Sequence, residues 1–398
     1  MVEWKKIEDL GSYFGGLTGK TKKDFEDGNA KFITYMNVFA NPSLDESTVG
    51  LVHINEGEKQ NRVQKGDILF TGSSETPDEA GMSCVVTDDL LEDYYMNSFC
   101  FGLRLNNPEQ YNLHYLKHLF RSYSIRNEIS KTASGVTRFN ISKARFGKVL
   151  IPIPSIAEQS RIVGILDTFT ASIENLKQQI AQRRKQYEHY RDQLLDLEGK
   201  EGVEMKTLGE VLISLKTGLN PRKNFVLNSP NSKNYYITVR ELGLFEIKPS
   251  DKTDRVTDDA LKLINNRSNL EEGDILFSGT GTIGRTALVK EKPTNWNIKE
   301  GVYTLKPYKD RIDSRYLIQL LHTNSVMNKI GALIVGDPIR SIPMKSMVTV
   351  SIPVPSLAEQ QRIVSILDTF EASIANLEQQ LAQRERQYEY YRNKLLTF

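Results

Sequence analysis

Apolar residues recur in alternating steps of four and three along two stretches of the chain. In the first they fall at Ile162, Leu166, Phe169, Ile173, Leu176, Ile180, Tyr187, Tyr190, Leu194 and Leu197, with Arg183 the one charged residue on the seam. In the second they fall at Ile363, Leu367, Phe370, Ile374, Leu377, Leu381, Tyr388, Tyr391, Leu395 and Phe398, with Arg384 at the equivalent place. Such spacing predicts a heptad helix of the coiled-coil kind. About 40 residues at 1.5 Å each give a rod of roughly 60 Å. Pro152, Pro154, Pro353 and Pro355 predict extended segments ahead of the helices. Ser155 and Ser356 are the expected N-caps, with Glu158 and Glu359 three residues on, a capping-box spacing. Each seam needs a partner, and the nearest is the other copy in the same chain, packed antiparallel about a pseudo-twofold axis. Arg183 and Arg384 either fix the register or extend out of the seam into water.

The two stretches are copies of each other. IPIPSIAEQSRIVGILDTF… from Ile151 and IPVPSLAEQQRIVSILDTF… from Ile352 share 32 of 45 aligned residues at an offset of 201. Weaker echoes cover the remainder: KGDILFTG (65–72) with EGDILFSG (272–279), KFITYMNVF (31–39) with YYITVRELGLF (235–245), and the opening EWKKIEDL with EMKTLGEV (204–211). The chain is therefore one unit written twice, a divergent part followed by a constant part. The boundaries expected are 1–150 and 206–351 for the divergent domains, and 151–205 and 352–398 for the constant helices.

The divergent parts read as α/β. GDILF, FITYMNV, YYITV and GVYTLKP have strand character, and 112–130 and 314–330 have helical periodicity. Residues 199–203 read as a polar, glycine-containing linker. Two copies that keep a frame while their loops diverge suggest domains that each read something different.

Composition narrows the class. The chain has 398 residues, 39% hydrophobic and 26% charged, enough to build cores and too structured for general disorder. No apolar run approaches the ~18 residues of a membrane span. The opening MVEWKKIEDLG has no signal-like apolar region, and a cytoplasmic protein without membrane partners is expected. Cys84 and Cys100 cannot build a disulfide framework or a four-ligand zinc site. The net charge of +2 hides an imbalance, since 206–351 carry 22 basic and 15 acidic residues. That basic region suits a polyanion, or is simply an unevenly charged surface.

Several motifs lead nowhere. GTGTIG (279–284) has dinucleotide-loop spacing, but a short β-like segment stopped by Pro293 follows where a helix is required; a tight glycine turn near a partner, such as a phosphate, is expected instead. GGLTGKT (15–21) is one residue short of a P-loop and reads as a mobile loop. His53, His114, His118, His189 and His322 make no metal constellation. No GxSxG elbow and no Asn/Asp-Pro-Pro-aromatic segment occurs. Catalytic, cofactor and metal residues are all expected to be absent from this chain.

The doubled IPxPxxxEQxRIVxILD, each copy followed by a Gln- and Tyr-rich heptad helix and preceded by a divergent domain containing GDIL, resembles the specificity subunit of type I restriction-modification systems. The resemblance spans the whole chain. It implies two α/β (α+β) target-recognition domains joined by two long helices packed as an antiparallel coiled coil. It also implies a non-catalytic subunit that reads the two halves of a bipartite, asymmetric site in double-stranded DNA, with the helices setting the gap. The implied partners are two modification subunits, which methylate adenine with S-adenosylmethionine, and restriction subunits using ATP and Mg.

Within that reading, Lys20, Lys22 and Lys23, and Arg222 and Lys223 in the second copy, suit phosphate positioning. The loops after the GDIL strands, TGSSETPDEAG (71–81) and SGTGTIGR (278–285), are expected to read bases, through Ser73, Ser74 and Thr76 and through Thr280, Thr282 and Arg285. Arg138 and Arg340, in SGVTRFN (134–140) and VGDPIRS (335–341), complete the set. Two other classes compete: a coiled-coil scaffold joining two modules, and a nucleotide-dependent enzyme using GTGTIG.

Overall fold

The computed structural model describes residues 2–222, 224–243 and 245–398. It forms two compact units, 1–178 with 378–398, and 179–377. Each unit therefore holds one divergent domain, the first part of one long helix and the second part of the other.

The same topology is built twice. In the first unit a four-stranded antiparallel sheet runs in the order Gly11–Gly15, Cys100–Leu105, Ile68–Thr71, Ser83–Val85. A second sheet has Ala30–Ile33 between Gly50–Val52, antiparallel, and Tyr94–Met96, parallel. In the second unit the counterparts are Leu212–Thr217, Val302–Pro307, Ile275–Ser278, Thr286–Leu288, and Asn234–Ile237 between Arg255–Val256 and Trp296–Ile298. The apolar GDIL strands are central and fully buried, as their unbroken apolar run requires. The proline-containing strands Leu150–Pro154 and Ser351–Val354 pair only with Val2–Lys6 and Glu204–Thr207 in two-stranded sheets. Proline lacks the N–H that a central strand must donate.

The long helices are Ile156–Leu195 and Leu357–Leu395. Inside the first unit Phe169 stacks on Tyr391, 5.2 Å between ring centroids. Inside the second Phe370 stacks on Tyr190 at 5.4 Å. In both, the early part of one helix meets the late part of the other, so they run antiparallel as the shared heptads imply. Each seam arginine covers the phenylalanine of the opposing helix, Arg384 over Phe169 at 5.6 Å and Arg183 over Phe370 at 6.0 Å. Cation–π contact of this kind favours the register over free extension into water.

The constant glutamine of the EQ pair joins helix to domain. Buried Gln159 accepts from the Asn112 amide and donates to the Pro154 carbonyl. Gln360 does the same with Asp313 and Pro355. An amide, with donor and acceptor on one rigid plane, is what such a bridge needs.

Five local expectations change. The capping box is half made: the Ser155 and Ser356 hydroxyls accept from Glu158 N and Glu359 N, but those carboxylates turn to Arg161 and Arg362 at 2.6–2.8 Å. The helix expected over 112–130 is two, Leu113–Leu119 and Tyr123–Ser130, because the Ser122 hydroxyl takes the Leu119 carbonyl and ends the first. Thr323 breaks 314–330 in the same way between Ser314–Leu320 and Asn324–Gly331. FITYMNV is strand only to Ile33: Thr34 accepts from Asn37 N and starts the helix Tyr35–Ala40. In YYITV, strand gives way at Thr238 to a helical turn.

Candidate nucleic-acid interface

In the first unit the loop after the GDIL strand does not hang free. Ser73–Ser74 form a strand beside Phe139–Ile141, which pairs in turn with Ala133–Ser134. The two segments named from sequence, 71–81 and 134–140, are thus neighbours. In the second unit Thr280 bridges to Ser341, and Gly281 N donates to the Arg340 carbonyl. Residues 278–285 and 335–341 meet in the same way. No reading of linear sequence could place segments some 60 residues apart side by side.

Around the first pair lies a pocket of about 270 Å³, lined by Tyr35, Met36, Phe39, Ser73, Ser74, Glu75, Glu79, Phe99 and Arg138. Tyr35 stacks on Phe39 and donates its hydroxyl to the Ser73 carbonyl. Ser74 donates to the Glu79 carboxylate at 3.1 Å. Arg138 is exposed at the rim, and Thr76 is exposed further along the loop. In the second unit Thr282 and Arg340 are exposed and Thr280 half-buried, while the Arg285 guanidinium donates to the Val239 carbonyl.

The lysine cluster divides. Lys20 is not a free cation: its ammonium donates to Glu58 and to the His53 carbonyl, each at 2.6 Å, and its side chain is only 6% exposed. The same contacts hold the Glu58 carboxyl down at about 2. Thr18 and Gln60 exchange further hydrogen bonds, so the GGLTGKT segment is anchored and not the loose loop its glycines suggest. Lys22 and Lys23 are exposed on the short helical turn Lys22–Phe25, open to a phosphate. Arg222 is exposed with a positive φ of 24°; Lys223 lies outside the described residues.

GTGTIG is the turn between two antiparallel strands, Ile275–Ser278 and Thr286–Leu288. A dinucleotide loop would lead into a helix and a parallel crossover. Its first glycine serves packing: a Cβ on Gly279 would collide with the Tyr303 ring.

Two arginines with no sequence signal tie the first unit together, and one of them holds the reading loop 71–81. Half-buried Arg126 donates to the Asp78, Ala80 and Gly81 carbonyls, and Arg121, also half-buried, to those of Ser83, Val38 and Asn41. Burial pushes both guanidinium groups down to about 10. In the second unit Met327, at the place of Arg126, lies against Gly284 of the corresponding loop.

The frame is thus double, constant in its helices and different in its paired loops. A family profile for the type I restriction modification DNA specificity domain matches it twice, over 1–183 and 200–386. The chain belongs to that family. It is 34% identical over 268 residues to the EcoR124I/EcoR124II specificity subunit of Escherichia coli, a match covering 63% of each chain. It is 29% identical over 307 residues to the putative specificity subunit S.HindORF215P of Haemophilus influenzae, covering 74% of each. The chain thus spans just under two thirds of the length of the first of these specificity subunits. Two solved structures share the fold. One, from work on complex assembly and conformational transition of the type I R-M system, has a TM-score of 0.65 at 18% identity, covering 99% of this chain and 97% of that one. The S subunit of M. genitalium has a TM-score of 0.52 at 16% identity, covering 100% and 96%.

Among the described residues no helix of this specificity-family chain is long and apolar enough to cross a membrane. Nor does any cluster of three metal-ligating side chains occur among them.

Proposed function

We propose that the chain is the DNA-reading subunit of a type I restriction-modification complex, and that each unit reads one half of a bipartite, asymmetric target. The observation that carries this is the doubled frame with its unlike paired loops, 71–81 beside 134–140 and 278–285 beside 335–341. Shared strands and helices hold the loops alike, and differences confined to the loops alter what is read without altering the frame. The exposed Lys22, Lys23, Arg222 and Arg340 position the phosphate backbone and carry no base identity.

The subunit recruits two modification subunits and the restriction subunits and is itself without catalysis; S-adenosylmethionine, ATP and Mg belong to those partners. The complex works in the cytoplasm, where its DNA is. The antiparallel helices set the gap between half-sites. Methylome sequencing of a strain carrying the intact system gives the motif, and exchange of 71–81 tests the reading. The exchange changes one half of the motif and leaves the other and the gap as they were. A change in both halves together defeats the modular reading. Methyl transfer by the pure subunit alone defeats the non-catalytic one.

A further inference from the structure

The pocket beside Arg138 has a chemistry the second unit lacks. Its floor is the stacked Tyr35 and Phe39, and its rim carries Met36 and Phe99, 61% and 59% exposed. Single exposed apolar side chains are ordinary, but two facing one aromatic-floored concavity are not. The floor is fixed before anything binds, through the Tyr35–Ser73 and Ser74–Glu79 hydrogen bonds.

Backbone hydrogen bonds identify the same places in the second unit. Asn97 N donates to Ile33 O and Gly72 N to Phe99 O; Lys299 N donates to Ile237 O and Gly279 N to Gly301 O. Tyr35 therefore corresponds to Val239, Met36 to Arg240 and Phe99 to Gly301. Ser73 and Ser74, next after the shared glycine, correspond to Thr280 and Gly281. One frame offers aromatic and thioether surface in the first unit, and a half-buried valine, a guanidinium, a hydroxyl and bare backbone in the second.

Glu75 and Glu79 line the first pocket and outnumber its one cation, Arg138, so the pocket disfavours a phosphate. What remains for a duplex to offer is a base edge. In the major groove the thymine 5-methyl is the one apolar feature. Resting on the DNA-reading role proposed above, we infer that this pocket takes the 5-methyl group of a thymine in the half-site read by the first unit. Phe99 and Met36 are then specificity-determining residues, and the second unit has no thymine reader at the equivalent place.

Deoxyuridine removes the methyl group and nothing else, so the test needs no altered protein at first. The full chain, assembled with its modification subunits, is titrated with duplexes of the methylated motif in which each thymidine in turn is deoxyuridine. One position weakens binding about fourfold, the worth of one buried methyl-sized group. Phe99→Ala abolishes that difference at the same position only, and Phe99→Leu restores part of it. If every uracil duplex binds like its parent, or the affected position keeps its penalty in Phe99→Ala, the pocket reads no methyl although the complex reads DNA. If the complex shows no preference for any motif over random duplex, the DNA-reading role fails and this assignment with it.

Discussion

His322 should make the second unit sensitive to acid. Its Nε2 lies 2.6 Å from the Thr286 hydroxyl, and its ring meets Phe245 edge-on at 4.9 Å. Burial, aided by the nearby Arg191 guanidinium, pushes the imidazole from its ordinary 6.5 down to about 4. The unfolded chain then takes up the proton before the folded one does. Stability contributed here is complete above pH 6.5 and is lost as pH falls toward 4. A difference of 6.5 − 4 is about 3 kcal/mol when fully expressed, and about 2 kcal/mol of it is lost between pH 7 and pH 5. The chain supplies its own reporter: Trp296 lies in the second unit and Trp4, half exposed, in the first. In a Trp4→Phe background, urea unfolding followed by tryptophan fluorescence reads the second unit. His322→Gln removes the titration while leaving a polar group for Thr286. The variant should lose about 2 kcal/mol less than its parent between pH 7 and pH 5. Other titrating groups are common to both proteins and cancel in this difference. Equal pH dependence in the two would refute the reasoning.

The first unit offers a substitution already made by the second. His118 bonds Tyr388 at 2.9 Å and Asp167 at 2.8 Å, whereas Gln319 bonds Tyr187 and Glu371 at 2.7 Å each. His118→Gln should shift the thermal midpoint little, and His118→Leu should cost about 1–3 kcal/mol by leaving buried polar groups unpaired. Arg126→Met removes the bonds to 78–81; specific binding should fall at one half-site while affinity for random duplex holds, and an equal fall in both would mean general unfolding. Replacing Lys22 and Lys23 by alanine should weaken all duplexes alike and flatten the log–log salt dependence by about one unit per lost phosphate contact. Seven residues inserted after Gln182 and after Gln383 keep the heptad phase and add about 10 Å, so the methylated motif should gain about three base pairs of gap at unchanged half-sites; an unchanged gap in a stable variant would mean the helices are not the ruler.

The duplication, the two long helices and their antiparallel sense were legible in the sequence. A heptad repeated about five times with matching register has one economical solution, and periodic burial is a local property that a linear pattern records. GTGTIG was also rejected correctly on the β-like segment that follows it. The helix starts at Thr34 and Thr238 were legible too, in the side-chain oxygens that follow each strand, but strand propensity in the flanking Tyr and Val residues outweighed them. Other features had no linear trace. Lys20 looks like Lys22 in sequence, and only the fold brings Glu58 to one and water to the other. Arg121 and Arg126 stand in a helix pattern with nothing to mark them, because the carbonyls they bind belong to segments some 40 to 80 residues away. The pocket of Tyr35, Met36, Phe39 and Phe99 was read, where it was read at all, as pieces of separate elements. Its members come from one helix and a distant turn, and meet beside Ser73 because sheet pairing carries them there. Local pattern determines which elements form; long-range hydrogen bonding alone decides which side chains share a site.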